Sequence, residues 1–488
     1  MKSARIFLPA NGGIFFVLLL GLFLFERPLQ LLSDGGTCRH VLTGQYILEH
    51  GHLPTTNYIT KLFANAPWNT TSVLSDTIYG ALYNAAGLNG LVAISALTIA
   101  LAIAWCYQMS RARGMSMPVG MVLVIIVMFV TSLHWVARPH VFTYLTMLVE
   151  YYVLFVSKAP MRTRLVALFI AQALWVNLHG SYYLGVAMAG AKFVGDFIQD
   201  RSSWKANGSL MLAMLAGSLV NISGGTTFWN IGSYMHVVRT RFQNDEFRSL
   251  DLSIGPRVWL FLLLGVMQAV IWIRSPRKPQ LAEVLCSCGF FALGIYSMRI
   301  IPYYALMMPI ACAASEGALE EAALPAKLRT KFERLSASEP SELTATPLWL
   351  GVGAMMLASW LTLPSFTIHT FDPSNLPVSC VDKMKEFPPD EYGFTRDNWA
   401  GYVYLNTRLP QFMDDYHHFY PIETMDDYSK ILFAEPGWQQ VLAKYNFDWI
   451  LVPSDMQLQA ELTKMPEWQM VCADKVGALF RRTKSTRL

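Results

Sequence analysis

The side chains most able to do chemistry sit at the ends of apolar runs. Asp34 lies in Leu31-Leu32-Ser33-Asp34-Gly35-Gly36, directly after the first such run, and His40 follows six residues on. Asp76 opens a helical pattern after Ser75. Arg138-Pro139-His140, with His134 close by, falls between two runs, His179 closes Trp175-Val176-Asn177-Leu178-His179, and Arg299 stands where a later run meets the next. Singly, each has an ordinary role: an acid caps a helix or meets its dipole, and an isolated His or Arg is solvated. On one side of a membrane they would combine carboxylates able to take a proton with cations suited to an anionic phosphate. Glu150 stands alone inside an apolar run, and Lys192 and Asp196 are spaced to pair with each other.

The elements that must position these residues are membrane spans. The 488 residues are 53% hydrophobic and 15% charged, with mean hydropathy +0.33, against about 25% charged in an ordinary soluble protein. A spanning helix needs about 20 apolar residues. The run 6–25 is charge-free between Arg5 and Glu26, and the following Glu26-Arg27-Pro28 is no cleavage site, so it reads as an uncleaved anchor. Further runs lie at 91–108, 118–136, 142–156, 165–178, 182–197, 210–222, 258–273, 285–298, 300–314 and 348–363. The expectation is about eleven transmembrane helices.

Lys/Arg clusters at Lys2/Arg5, Arg111/Arg113, Lys158/Arg162/Arg164, Arg201/Lys205, Arg274/Arg277/Lys278 and Lys327/Arg329/Lys331/Arg334 fall at every second connection. Positive residues favour the cytoplasmic side, so the N-terminus is expected inside and everything after 365 outside. The expected organisation is a transmembrane domain at 1–315 with outer loops 33–90 and 223–256, a cytoplasmic linker at 316–345, a last transmembrane helix at 346–365 and an extracytoplasmic α/β domain at 366–488. Two amphipathic helices, 41–49 and 74–83, are expected at the membrane surface in the first outer loop. In the last domain 402–405, 448–452, 468–472 and 478–480 read as strands, 438–445 and 456–464 as helices.

The net charge of +4 is spread over short clusters, which excludes a phosphate-tracking face and nucleic acid as a partner. Seven cysteines show no zinc-ligand spacing. Cys380 and Cys472 alone fall in the outer domain, where an oxidising compartment would let them bridge if their Cα atoms lie within about 7 Å. Asn69-Thr70-Thr71 fits the N-glycosylation triplet, which matters only in a secretory pathway.

The chain resembles, by pattern and along essentially its whole length, the multispanning bacterial membrane proteins with the C-type (GT-C) glycosyltransferase fold. The residues that carry the resemblance are Asp34-Gly35-Gly36-Thr37 through His40, Thr43 to Gly51 with Leu53-Pro54, and Pro67-Trp68 followed by Leu74-Ser75-Asp76. Arg138 to Thr143, Trp175 to Gly180, the Glu246-Phe247 pair and Arg299 to Pro302 then recur in the family's order, as do Gly401 to Leu405, Asp414-Asp415 and Tyr445 to Asp448. The resemblance implies a multi-pass protein of the bacterial inner membrane that takes a sugar from a polyprenyl-phosphate carrier and gives it to a glycan, lipid or protein acceptor outside. It implies Asp34 as the catalytic carboxylate that accepts the hydroxyl proton, Asp76 as a second catalytic residue supporting the acceptor or an ion, and His40, Arg138, His140, His179, Glu246 and Arg299 as substrate-binding. No cofactor is required, although a divalent cation is compatible with such carboxylates. The chain departs from the pattern at Gly36, where the family has a second acid, and at Thr71-Ser72, where it has a His-Glu pair. Both departures argue against a metal site and leave a non-catalytic partner in an envelope-polysaccharide or surface-appendage assembly as the alternative. A transporter is disfavoured, because no pair of Gly/Pro-broken spans occurs in matching halves.

Overall fold

The computed structural model describes residues 11–68, 70, 72–228, 249–323, 330–331, 342–417 and 420–483. Each of the eleven apolar runs lies mainly on a helix: α1 (Asn11–Gly21, continued by a π turn to Glu26), α3 (Val73–Ala112), α4 (Met117–Thr131), α5 (His140–Tyr151), α6 (Met161–Leu178), α7 (Tyr183–Gln199), α8 (Trp204–Ser218), α9 (Pro256–Arg274), α10 (Leu281–Tyr296), α11 (Ile301–Ala323) and α12 (Glu342–Thr362). Among the described residues, four helices are long and apolar enough to cross a membrane: Val73–Ala112, Met117–His134, Pro256–Arg274 and Met298–Ala318. The others are shorter or more polar than that criterion. Val73–Ala112 and Met298–Ala318 run through the centre of the bundle, whereas outward faces carry exposed Phe129, Ile170, Ile198, Leu212, Val266 and Ile273. So much exposed apolar surface suits contact with lipid.

The helix expected at 41–49 is α2, Gly36–His50, and the one at 74–83 is the first part of α3. Ala86 and Gly87 (φ +57°) leave helical geometry and set that polar first part at an angle to the apolar remainder. Each buries one part against protein, while Leu48 is exposed and Leu74, Ile78 and Leu82 are half-buried. Val41, Cys38 and Tyr79 are fully buried in the main core, because α2 is packed between α3 on one side and the C-terminal domain on the other. Gly44 and Gly80 permit the α2/α3 crossing: a Cβ on Gly44 would stand 1.8 Å from the Asp76 carbonyl.

The C-terminal domain is built on a four-stranded sheet, β1 (Gly393–Thr395), β2 (Trp449–Pro453), β3 (Trp468–Ala473) and β4 (Gly477–Arg482), in the order β1-β2-β4-β3. β1 and β2 are parallel; the other pairs are antiparallel, with Ile450 opposite Phe480. Alternation along β2 buries both faces. Trp449 and Leu451 join the core continuous with the membrane helices, while Ile450 and Val452 join a second cluster with Phe394, Phe412 and Phe447. Helices α13 (Val378–Met384), α14 (Asp397–Thr407), α15 (Ile422–Leu432), α16 (Trp438–Tyr445) and α17 (Gln457–Leu462) surround the sheet. Residues 402–405, expected as a strand, lie within α14. Trp399, Tyr402 and Val403 are its buried stripe at helical spacing, a pattern that a four-residue window cannot distinguish from a strand.

Candidate active site

The site forms where α1, the start of α2, the α4–α5 connection and the C-terminal domain meet. Backbone bonds stitch these pieces together around Leu31 and Leu32: Ala137 N–H donates to the Leu31 carbonyl at 2.7 Å and Asp372 N–H to the Leu32 carbonyl at 3.2 Å. A Cβ on Gly35 would stand 2.1 Å from the Asn398 carbonyl, so only glycine lets the start of α14 rest on this turn. Asp34 is thereby held beside Arg138. Its Oδ1 accepts the Gly36 N–H at 2.7 Å and its Oδ2 accepts from Arg138 Nη1 at 3.0 Å.

Arg138 also donates through Nη2 to Asp415 Oδ2, at 3.3 Å, and the other oxygen of Asp415 accepts from Arg39 Nε at 3.2 Å. The Arg39 guanidinium lies 3.8 Å from the centre of the Tyr416 ring. Two carboxylates, one from each end of the chain, therefore share one guanidinium. Asp415 reaches this place because the loop before it is clamped by the segment between α2 and α3. Gln411 N–H donates to the Ile59 carbonyl, Lys61 N–H to the Gln411 carbonyl, and Phe63 packs edge-on against Tyr420.

His40 and Asp76 meet one turn further along α2, Nδ1 to Oδ1 at 2.6 Å, with Thr70 Oγ1 donating to the other Asp76 oxygen at 3.4 Å. Both side chains are buried. Asp76 precedes the kink and lies outside the apolar stretch. Burial pushes its carboxyl up to about 8, against Arg39, which pulls it down. Burial, with Arg39 and Arg138 adding to it, pushes His40 well below the ordinary histidine range. At neutral pH the pair thus holds one proton and no net charge, the acid donating to an imidazole lone pair.

A third group assembles from α5, α6 and the segment before α11. His140 Nε2 donates to the His134 carbonyl at 2.7 Å, and its ring centre lies 6.4 Å from that of His179. Arg299 Nη2 lies 3.0 Å from His179 Nε2. Arginine can only donate, so Nε2 offers its lone pair to Arg299, and Nδ1 lies 2.7 Å from Ser181 Oγ with the Ser181 N–H 3.3 Å away. Ser75 Oγ donates to the Leu178 carbonyl at 2.7 Å and ties this group to the helix of Asp76.

The structure thus brings Asp34 to Arg138, His40 to Asp76, and His140 and Arg299 to His179. Glu246 lies outside the described residues, as do Asn69 and Thr71. Lys192 pairs with Asp196 at 2.9 Å. The buried carboxyl of Glu150 packs against Gly185, where a Cβ would stand 2.0 Å from its Oε2. Arg39 and its role were missed from sequence, where it is one arginine on a helix. Asp415 was legible only as part of a resemblance.

Among the described residues, the carboxylates nearest Asp34 are engaged by guanidinium groups rather than open to a divalent cation. Among the described residues no three His, Cys, Asp or Glu side chains converge as metal ligands, and the space between Asp34 and Asp415 is bridged by a guanidinium. Metal ligation asks for carboxylates whose lone pairs face an open position.

No protein-family model and no curated protein matches the chain. Solved structures do. It is similar to the apo oligosaccharyltransferase of Archaeoglobus fulgidus at 11% identity and TM-score 0.58, over 93% of this chain and 70% of that one. ArnT of Cupriavidus metallidurans bound to undecaprenyl phosphate aligns at 12% identity and TM-score 0.55, over 97% and 98%. The A. fulgidus oligosaccharyltransferase AglB with an inhibitory peptide and a dolichol-phosphate gives 11% and 0.54, over 97% and 74%. Both neighbours are GT-C glycosyltransferases, and this chain has the GT-C fold.

Proposed function

We propose that the chain is a multi-pass membrane glycosyltransferase that moves a sugar from a polyprenyl-phosphate carrier to an acceptor hydroxyl on the extracytoplasmic side. The observation that carries this reading is the Arg138 bridge between Asp34 and Asp415, set beside the His140, His179 and Arg299 group in a GT-C fold. The eleven-helix topology, with the last domain outside, is part of the proposal. It is supported by the Cys380–Cys472 disulfide, which needs an oxidising compartment.

In this reading the acceptor hydroxyl oxygen attacks the anomeric carbon, the bond from that carbon to the carrier phosphate breaks, and the configuration inverts. Asp34 takes the hydroxyl proton. Pairing with Arg138 favours its ionised form, as a proton acceptor requires. Arg299 holds the departing phosphate, whose negative charge grows as the bond breaks, and His140 joins it when protonated at both ring nitrogens. The neutral His40–Asp76 pair fixes the wall of the cleft without competing for that charge. Asp415 keeps Arg138 and Arg39 in place.

The test is mass spectrometry of envelope glycans and lipid-linked sugars in a deletion strain complemented with wild type or Asp34→Asn at equal protein level. The exchange keeps shape and removes the base, so the expected loss of transfer is on the order of 10² to 10⁴. Full restoration by Asp34→Asn would leave the non-catalytic partner as the better reading.

A further inference from the structure

A second concavity lies along α2, away from Asp34. Its volume is about 520 Å³, and its walls include Gln45, Tyr46, Glu49, Tyr58, Asn84 and Arg408. From Gly36 to Tyr46 the helix rises about 15 Å, so the cleft and Asp34 are separated by no more than the length of a short oligomeric ligand. The size is that of a small-ligand site, about 300 to 1,000 Å³.

The cleft is connected to the Asp34 site by a row of rings. Tyr46 stacks on Tyr58 (centres 5.6 Å apart), Tyr58 on Trp68 (5.3 Å) and Trp68 on Tyr416 (6.0 Å), all within 26° of parallel. Tyr416 in turn lies under Arg39, the partner of Asp415. At the outer end His50 stacks on Tyr46 at 4.1 Å. The polar groups are also preset, because Gln45 Nε2 donates to Asn84 Oδ1 at 2.7 Å. One carboxylate (Glu49) and one guanidinium (Arg408) balance each other's charge.

We propose that this cleft binds the acceptor and that the acceptor is a carbohydrate chain. A pyranose offers C–H groups to the edges of aromatic rings and a rim of hydroxyls to planar amides, carboxylates and guanidinium groups; the cleft supplies Tyr46 and Tyr58, held rigid by the stack, together with Gln45, Glu49, Asn84 and Arg408. A lipid tail needs an aliphatic lining, and here only Leu42 and Leu48 contribute one. An extended peptide adds to a sheet edge or fills side-chain sockets, and these walls are two helices, a loop and the end of α14. Binding energy taken remotely by the chain serves to orient the reacting hydroxyl at Asp34.

The proposal deepens the transfer reading and rests on it, but binding is measured apart from transfer. Full-length protein in nanodiscs is applied to an array of neutral tetrasaccharides of glucose, galactose, mannose and N-acetylglucosamine, bacterial polysaccharide fragments and hydroxyl-bearing peptides. At least one glycan is expected to bind, and its affinity to fall about tenfold in Tyr46→Ala and also in Arg408→Asn, a surface change that the left-handed backbone there (φ +61°) accepts. Binding is measured without any sugar donor, so a failed transfer reading leaves this result standing. No glycan bound, glycan binding indifferent to both variants, or peptides bound in their place would overturn the proposal.

Discussion

Gly36 and Asp415, 379 positions apart in the chain, occupy one space: a Cβ on Gly36 would stand 2.7 Å from Asp415 Oδ2 and 3.0 Å from Arg138 Cζ. The missing side chain is what lets the C-terminal domain bring its carboxylate to Arg138. The sequence departs from its resembled family at this position, and the fold places an acid there from the other end of the chain.

Gly36→Ala is therefore expected to fold, since the atom it meets is the end of a side chain that can swing away, but to lose the Asp415–Arg138 contact. Transfer should fall about as far as in Asp415→Asn, and the double variant no further, because both remove one interaction. The readout is lipid-linked sugar turnover in the complemented strain. Additive losses would show that Gly36 and Asp415 act separately.

Much of the site was legible for a plain reason. A charged residue at the end of a charge-free run is conspicuous, and Asp34, Arg138, His179 and Arg299 are all so placed. The meeting of Asp34 with Arg138 and Asp415 was not legible, because it depends on Leu31 meeting Ala137 and on Gly35 meeting Asn398, contacts that leave no periodic trace. Residues 402–405 show the complementary failure. Tyr-Val-Tyr-Leu has strand-like composition, but the deciding signal is Trp399 three residues upstream, with the helix turned so that Trp399, Tyr402 and Val403 are buried. The burial of the first half of α2 was not legible because an apolar stripe looks the same whether it meets lipid or protein.

The His40–Asp76 pair separates charge from hydrogen bonding. With the proton on the acid at neutral pH, Asp76→Asn keeps a donor for His40 Nδ1, and stability should change by less than about 1 kcal/mol. Asp76→Ala leaves a buried imidazole nitrogen unmatched and should cost about 1 to 3 kcal/mol. Thermal unfolding of the purified protein compares them. An Asn variant as unstable as the Ala variant would mean that the pair is an ion pair.

Cys380 and Cys472 have Cα atoms 5.5 Å apart and form a disulfide across 92 positions, tying α13 to β3. In the chain-entropy model a loop of that length stabilises by about 4 to 5 kcal/mol. Thiol labelling of the denatured, non-reduced protein should miss both cysteines, and reduction should lower the unfolding temperature of the C-terminal domain. Full labelling of both without reductant would remove the bridge and, with it, a support for the extracytoplasmic placement.

Acid should loosen the site through Asp397. This residue opens α14, beside the Asn398 carbonyl that rests on Gly35, and its Oδ2 accepts from His417 Nε2 at 2.8 Å, two residues beyond Asp415. Burial alone would raise its carboxyl, but the His417 hydrogen bond and charge, the Asn398 N–H and Arg396 outweigh burial and hold it below the usual carboxylate range. A carboxyl depressed in the folded state binds its proton more readily when unfolded. Its contribution to stability is therefore complete above the unfolded value, about 3.9, and is lost as pH falls through the folded one. Asp397→Asn should cost about 1 to 2 kcal/mol at pH 7, with the gap to wild type closing as pH falls below about 4. Because the same bond anchors the strand of chain that carries Asp415, the variant should also lose transfer at neutral pH. Unfolding followed by tryptophan fluorescence from pH 3 to 8, alongside turnover at pH 7, tests both. A gap between variant and wild type that persists unchanged through the acid range would show that the charge on Asp397 contributes nothing to holding α14 against the site.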